Sequence, residues 1–137
     1  MDPVTSDHAA ALIDAFVLTG RRDRYRNLLK SPKLRAKLRA ALAHCRDLDP
    51  RCKRSISPSD QDASGIAALL RSRAAPDSCY LLSESPQLDG RVLPLDEALA
   101  AVVGQGFGTL ISCVPGQLGY YEGEERGERY ILDRAAV

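Results

Sequence analysis

An α+β fold is predicted for this 137-residue chain: a basic helical part over residues 1–58, then a small mixed sheet over 59–137 with a C-terminal three-strand meander and helices on one face. Three observations predict it. Alanine supplies 18 residues while Trp is absent and Phe appears twice, which suits helices packed through small side chains. Apolar positions recur at helical spacing in the first half, whereas short β-rich runs split by Gly and Pro fill the second. Charge divides along the same line. Residues 1–75 hold 15 Lys and Arg against 8 Asp and Glu, and residues 76–137 hold 4 against 10. The length suits two such parts within one compact domain.

Asp7 is placed to cap a helix over His8–Leu18, whose inward positions are Ala9, Leu12, Ile13, Phe16 and Val17. Thr19-Gly20 closes it through a left-handed glycine. A second helix spans Arg21–Leu29, with Tyr25, Leu28 and Leu29 on its apolar side. Ser31-Pro32 opens a third, Ser as N-cap and Pro in the first turn, that runs to Cys45. At roughly 100° per residue, Leu34, Leu38, Ala41, Leu42 and Cys45 form its buried face. Arg35, Arg39 and Arg46 line one flank, Lys33, Lys37 and His44 the other, and Ala36, Ala40 and Ala43 the back.

Pro50, Pro58 and the serines around them make Asp47–Ser59 a connector. A fourth helix spans Asp60–Arg73 with Ile66, Leu69 and Leu70 inward, and Pro76-Asp77 breaks it. Cys79–Ser83 is a short strand, and Asp89-Gly90 is the tight point of the loop that follows. A helix spans Pro94–Val103. Thr109–Val114 is the central strand, since its apolar character is almost continuous. Pro115-Gly116 suits the middle of a type II turn, after which Leu118–Glu122 and Arg129–Asp133 complete the meander.

No run of 18 apolar residues suggests a membrane span, and Met1–Ala10 carries Asp2 and Asp7 without Lys or Arg, unlike a secretory leader. The chain is therefore read as cytoplasmic. On that reading Cys45, Cys52, Cys79 and Cys113 are free thiols. With no CxxC pair and only His8 and His44 as histidines, neither a metal site nor a cofactor is expected.

Four constellations bear on chemistry. Gly104-Gln105-Gly106-Phe107-Gly108 follows a helix and enters a strand, the reverse of a phosphate loop, so it is read as a helix cap. Cys113, at the end of the central strand, is a candidate nucleophile, but only His8 or His44 offers a base, so a buried structural thiol is expected. Glu84, Asp89 and Glu122 are the candidate catalytic carboxylates, provided that their elements converge. Lys33, Arg35, Lys37 and Arg39 are the candidate phosphate- or partner-binding set.

The leading expectation is a small non-catalytic binding or regulatory protein with a protein partner. The alternatives are a nucleic-acid-binding protein using the basic helices over 21–46 and a small carboxylate-dependent enzyme. No membrane partner is expected.

Overall fold

A computed structural model describes residues 3–125 and 127–135, with side-chain detail from His8 onward. The helices are α1 (Pro3–Phe16), α2 (Arg22–Leu28), α3 (Pro32–Ala41), α4 (Ala63–Ser72) and α5 (Leu95–Val102). The strands are β1 (Lys53–Ser55), β2 (Ser78–Ser83), β3 (Val92–Pro94), β4 (Thr109–Val114), β5 (Leu118–Glu122) and β6 (Arg129–Asp133). They form one sheet in the order β1-β6-β5-β4-β2-β3, antiparallel at every pairing. This is an α+β fold. Its last three strands are the predicted meander, and the sheet is larger than the expected one because two strands come from segments read as connector and loop.

Side-chain alternation along the strands explains the layering. On β2, Tyr80 and Leu82 point to one face and Cys79 and Leu81 to the other. The first face is covered by α1, α2, α3 and the turn that follows α3, through Leu12, Ile13, Phe16, Tyr25, Leu38 and Leu42. The second is covered by α4 and α5, through Ile66, Leu70, Leu95, Leu99 and Val102. The helices of the 59–137 part thus share one face, as expected, and those of the basic part cover the opposite face. Because both faces are covered, β2, β4 and β5 are buried along almost their whole length.

Several boundaries differ from the sequence reading. α1 begins at Pro3, before Asp7, and the capping role given to the Asp7 side chain lies outside the described residues. Gly20 is not a left-handed cap: Thr19–Arg21 forms a short 3-10 turn, and Val17 instead bridges to Leu48. α3 starts as predicted, with Ser31 Oγ accepting from the Leu34 amide at 3.2 Å, but tightens into a 3-10 turn over Leu42–His44. That tightening leaves Ala41 exposed and buries Ala43. α4 starts later than predicted because Asp62, and not a residue of the preceding turn, caps it, accepting from the Gly65 amide. β1 forms within the connector, where Lys53, Arg54 and Ser55 pair with Leu132, Ile131 and Tyr130.

The glycine run behaves as a cap. Gly104 ends α5 with φ +81°, and its amide donates to Glu122 Oε2 at 2.9 Å. Gly108 is needed for a different reason. A Cβ there would lie 2.2 Å from the Leu42 carbonyl, so only glycine lets β4 approach the end of α3. Gly116 has φ +73°, and the Gln117 amide donates to the Val114 carbonyl at 2.9 Å, closing the predicted β4–β5 turn.

Candidate functional site: a cationic groove beside a locked set of carboxylates

Each candidate carboxylate is held by partners of its own. Glu84 Oε1 accepts from the Gly108 amide at 2.8 Å, tying the end of β2 to the entrance of β4. Glu122 is buried in β5; it accepts from the Tyr120 hydroxyl at 2.7 Å and from Gly104, and Arg129 Nε lies 3.2 Å away. Asp89 accepts from Arg35 Nε at 2.8 Å, from Arg35 Nη2 at 3.1 Å and from the Ser83 amide at 3.0 Å. Ser83, Thr109 and Glu122 lie side by side across β2, β4 and β5, so the three carboxylates sit toward one end of the sheet, each engaged by its own set of donors.

Cys113 faces the layer of α4 and α5 at 2% exposure. Burial, with Cys79 beside it, pushes its thiol up to about 12, and neither His8 nor His44 belongs to that layer. The structure does bring a serine and a histidine together, which no sequence spacing indicated. Ser112 Oγ and His8 Nδ1 lie 2.7 Å apart, and the His8 ring stacks on Tyr80 with centroids 5.7 Å apart. Ser112 is 0% exposed beneath α1, so its hydroxyl is closed off from solvent and the pair joins α1 to the sheet.

The predicted binding set divides between two environments. Arg35 turns inward: besides gripping Asp89, it donates from Nη2 to the Tyr80 hydroxyl at 2.6 Å. Its side chain is only 14% exposed. Arg39 follows it, with Nη1 3.9 Å from Asp89 Oδ2 and a buried Nε that has no hydrogen-bond partner. Lys33 and Lys37 stay exposed on the opposite flank.

Lys37 belongs to a larger arrangement. A groove of about 290 Å³ runs between α2 and the end of α3, lined by Arg24, Tyr25, Leu28, Lys37, Ala41, His44, Arg46 and Asp47. Helical geometry builds it. Arg24 and Leu28 stand one turn apart on α2, and Lys37 and Ala41 one turn apart on α3. The Ser31-Pro32 turn brings these two helices side by side. Tyr25 is buried against the groove floor, where its hydroxyl donates to Asp47 Oδ2 at 2.6 Å. Burial first, and then this bond, raise the Tyr25 pKa, so the phenol keeps its proton and holds Asp47 in place. Arg21 Nε lies 3.8 Å from the other oxygen of Asp47.

The acidic hairpin β5–β6 closes the far end. The Glu124 amide donates to the Ala43 carbonyl at 2.8 Å. His44 lies 3.3 Å from Glu124 and 3.2 Å from Glu128. An adjoining recess shares His44 and Arg46 with the groove and is lined by Glu125, Glu128, Lys53 and Tyr130. Arg24, Lys37 and Arg46 have no ion-pair partner among the described residues.

No known protein family, curated protein or solved structure matches this chain. Sequence periodicity placed Lys33, Lys37 and His44 on one flank, of which Lys37 and His44 line the groove. It missed the contribution of α2 and placed Arg46 with Arg35, because the helix was expected to continue to Cys45. Among the described residues no group of three or more His, Cys, Asp or Glu is placed to hold a metal ion, and no helix is long and apolar enough to cross a membrane.

Proposed function

We propose that this chain is a non-catalytic binding protein that recognises an anionic segment of a protein partner through the groove between α2 and α3. One observation carries the reading: Arg24, Lys37 and Arg46 line an open recess and form no ion pair among the described residues, while Arg35, Arg71 and Arg73 are paired with Asp89, Asp96 and Asp133. Unpaired cations around a concave surface attract and orient anions. Leu28 and Ala41 add a small apolar surface for the residues that flank the anion.

The fence of acids favours a peptide over a nucleic acid. Asp47 lies in the groove, and Glu125 and Glu128 line the recess beside it. A phosphodiester chain leaving the groove in that direction meets like charge. A peptide with one localised anionic group does not.

The test is a fluorescence-anisotropy titration at two salt concentrations with a glutamate-rich peptide and with mixed-sequence RNA and DNA. The peptide is expected to bind more tightly than either nucleic acid, with affinity falling as salt rises. Replacing Lys37 and Arg46 together with Gln is expected to weaken it about tenfold, on the order of 1.4 kcal/mol. Tighter, salt-sensitive binding of RNA or DNA would instead select the nucleic-acid alternative.

A further inference from the structure

Resting on the reading just given, we infer that the anionic group taken by the α2–α3 groove is a phosphomonoester, carried by a phosphorylated side chain of the partner. Charge count and shape lead to this class. Arg24, Lys37 and Arg46 bring three positive charges to the recess, and Asp47 brings one negative charge. At least two positive charges remain, since Arg21 also lies 3.8 Å from Asp47. A carboxylate neutralises one of them. A phosphomonoester carries about −1.5 to −2 at neutral pH and matches two, and its three acceptor oxygens suit several donors at once.

The donors are of the right kind and come from different directions. Two guanidinium groups, Arg24 from α2 and Arg46 from beyond α3, offer paired N–H donors, and Lys37 from α3 adds a point charge. His44 sits at the end of the groove with both ring nitrogens near hairpin carboxylates. Asp47 is fixed by Tyr25 and Arg21 at the floor. It closes the recess to a second anionic group, which limits the site to one phosphate. About 290 Å³ is room for one such group and part of its carrier side chain.

Asp47 is also the feature that makes the site selective. An anion held beside Arg24, Lys37 and Arg46 gains from all three cations with each negative charge it carries on one small group. Spreading two charges over two side chains brings one of them toward Asp47 or toward Glu125 and Glu128.

The experiment uses the full chain, labelled with nitrogen-15, and four probes. Three are blocked pentapeptides, acetyl-Ala-Ala-X-Ala-Ala-amide, with phosphoserine, glutamate or serine at X; the fourth is inorganic phosphate. The phosphoserine peptide is expected to saturate at a concentration at least tenfold below that of the glutamate peptide. Its amide shifts should centre on residues 24–28, 37–41 and 44–47. The Lys37→Gln, Arg46→Gln double variant, whose fold the same spectra verify, should lose that preference. Equal binding of the phosphoserine and glutamate peptides overturns the phosphomonoester inference and leaves the anionic-partner reading standing. Inorganic phosphate binding as tightly as the phosphopeptide shows a site for the free ion and overturns the peptide part. Shifts centred elsewhere overturn the site, and failure of both anionic peptides to bind overturns this inference together with the function on which it rests.

Discussion

Arg35 and Asp89 meet through two N–H···O contacts, 2.8 Å from Nε and 3.1 Å from Nη2, and so fasten α3 to the turn between β2 and β3. The pair joins the basic half of the chain to the acidic half, and it is mostly shielded, with Asp89 at 7% side-chain exposure. Asp89→Ala is expected to cost about 3 kcal/mol, because it leaves a desolvated guanidinium and the Ser83 amide without their acceptor. Replacing both residues with Leu should recover much of that loss. Urea unfolding of the two variants checks it, and a double variant no better than Asp89→Ala would contradict the account.

Tyr121 holds the end of α3 against the sheet. Its hydroxyl donates to the Leu42 carbonyl at 2.7 Å and accepts from the Cys45 amide at 3.0 Å. Tyr121→Phe removes one oxygen and orphans two backbone groups. A loss of about 2 kcal/mol is expected, with faster amide exchange at residues 42–46 as the specific readout. Since His44 and Arg46 lie in that stretch, the variant should also weaken ligand binding in the groove.

Gly108→Ala tests the close approach of β4 to α3. The added methyl would meet the Leu42 backbone at 2.2 Å, where no side-chain rotation relieves the clash. Overpacking of this kind costs about 1–3 kcal/mol, and the value should fall at the upper end because backbone must move. A shift in thermal midpoint of less than a degree would show that the approach is looser than described.

The buried thiols predict an alkaline limit. Burial pushes Cys79 and Cys113 up to about 12, whereas unfolded thiols titrate near about 8.5. The folded state therefore keeps protons that the unfolded state has released. Stability is full below about pH 8.5 and declines as pH rises toward 12, by about 1.4 kcal/mol per pH unit for each thiol. Urea melts at pH 8 and pH 10 measure the slope, and Cys113→Ala should flatten it. In the native state at neutral pH, Cys113 should label with a thiol reagent only as fast as the chain opens.

The parts of this fold that sequence made legible are those written in local chemistry. Ser31-Pro32 opens α3, Pro115-Gly116 turns β4 into β5, and the nearly continuous apolar run of β4 marks it as central, because caps, turns and strand composition act over a few residues. β1 was illegible for the opposite reason. Lys53, Arg54 and Ser55 have weak strand character, and only pairing with β6 makes them a strand. The site followed the same rule. Lys37 and His44 share a flank by helical period, but Arg24 and Arg46 join them through the α2–α3 turn and the chain path after Ala41. The inward turn of Arg35 depended on Asp89, which lies 54 residues away.

The register of β1 on β6 has a consequence for how the molecule is made. Lys53 lies opposite Leu132, so the segment that edges the sheet emerges early in synthesis and waits for the last strand before it can pair. Until then α1, α2 and α3 have no complete surface on which to bury Leu12, Phe16 and Leu42. Long-range closure of this kind slows folding, and a nascent chain that carries an uncovered apolar helical layer is open to aggregation or chaperone capture. Removing β6 should therefore prevent the basic half from reaching its native packing, although that half holds none of the deleted residues.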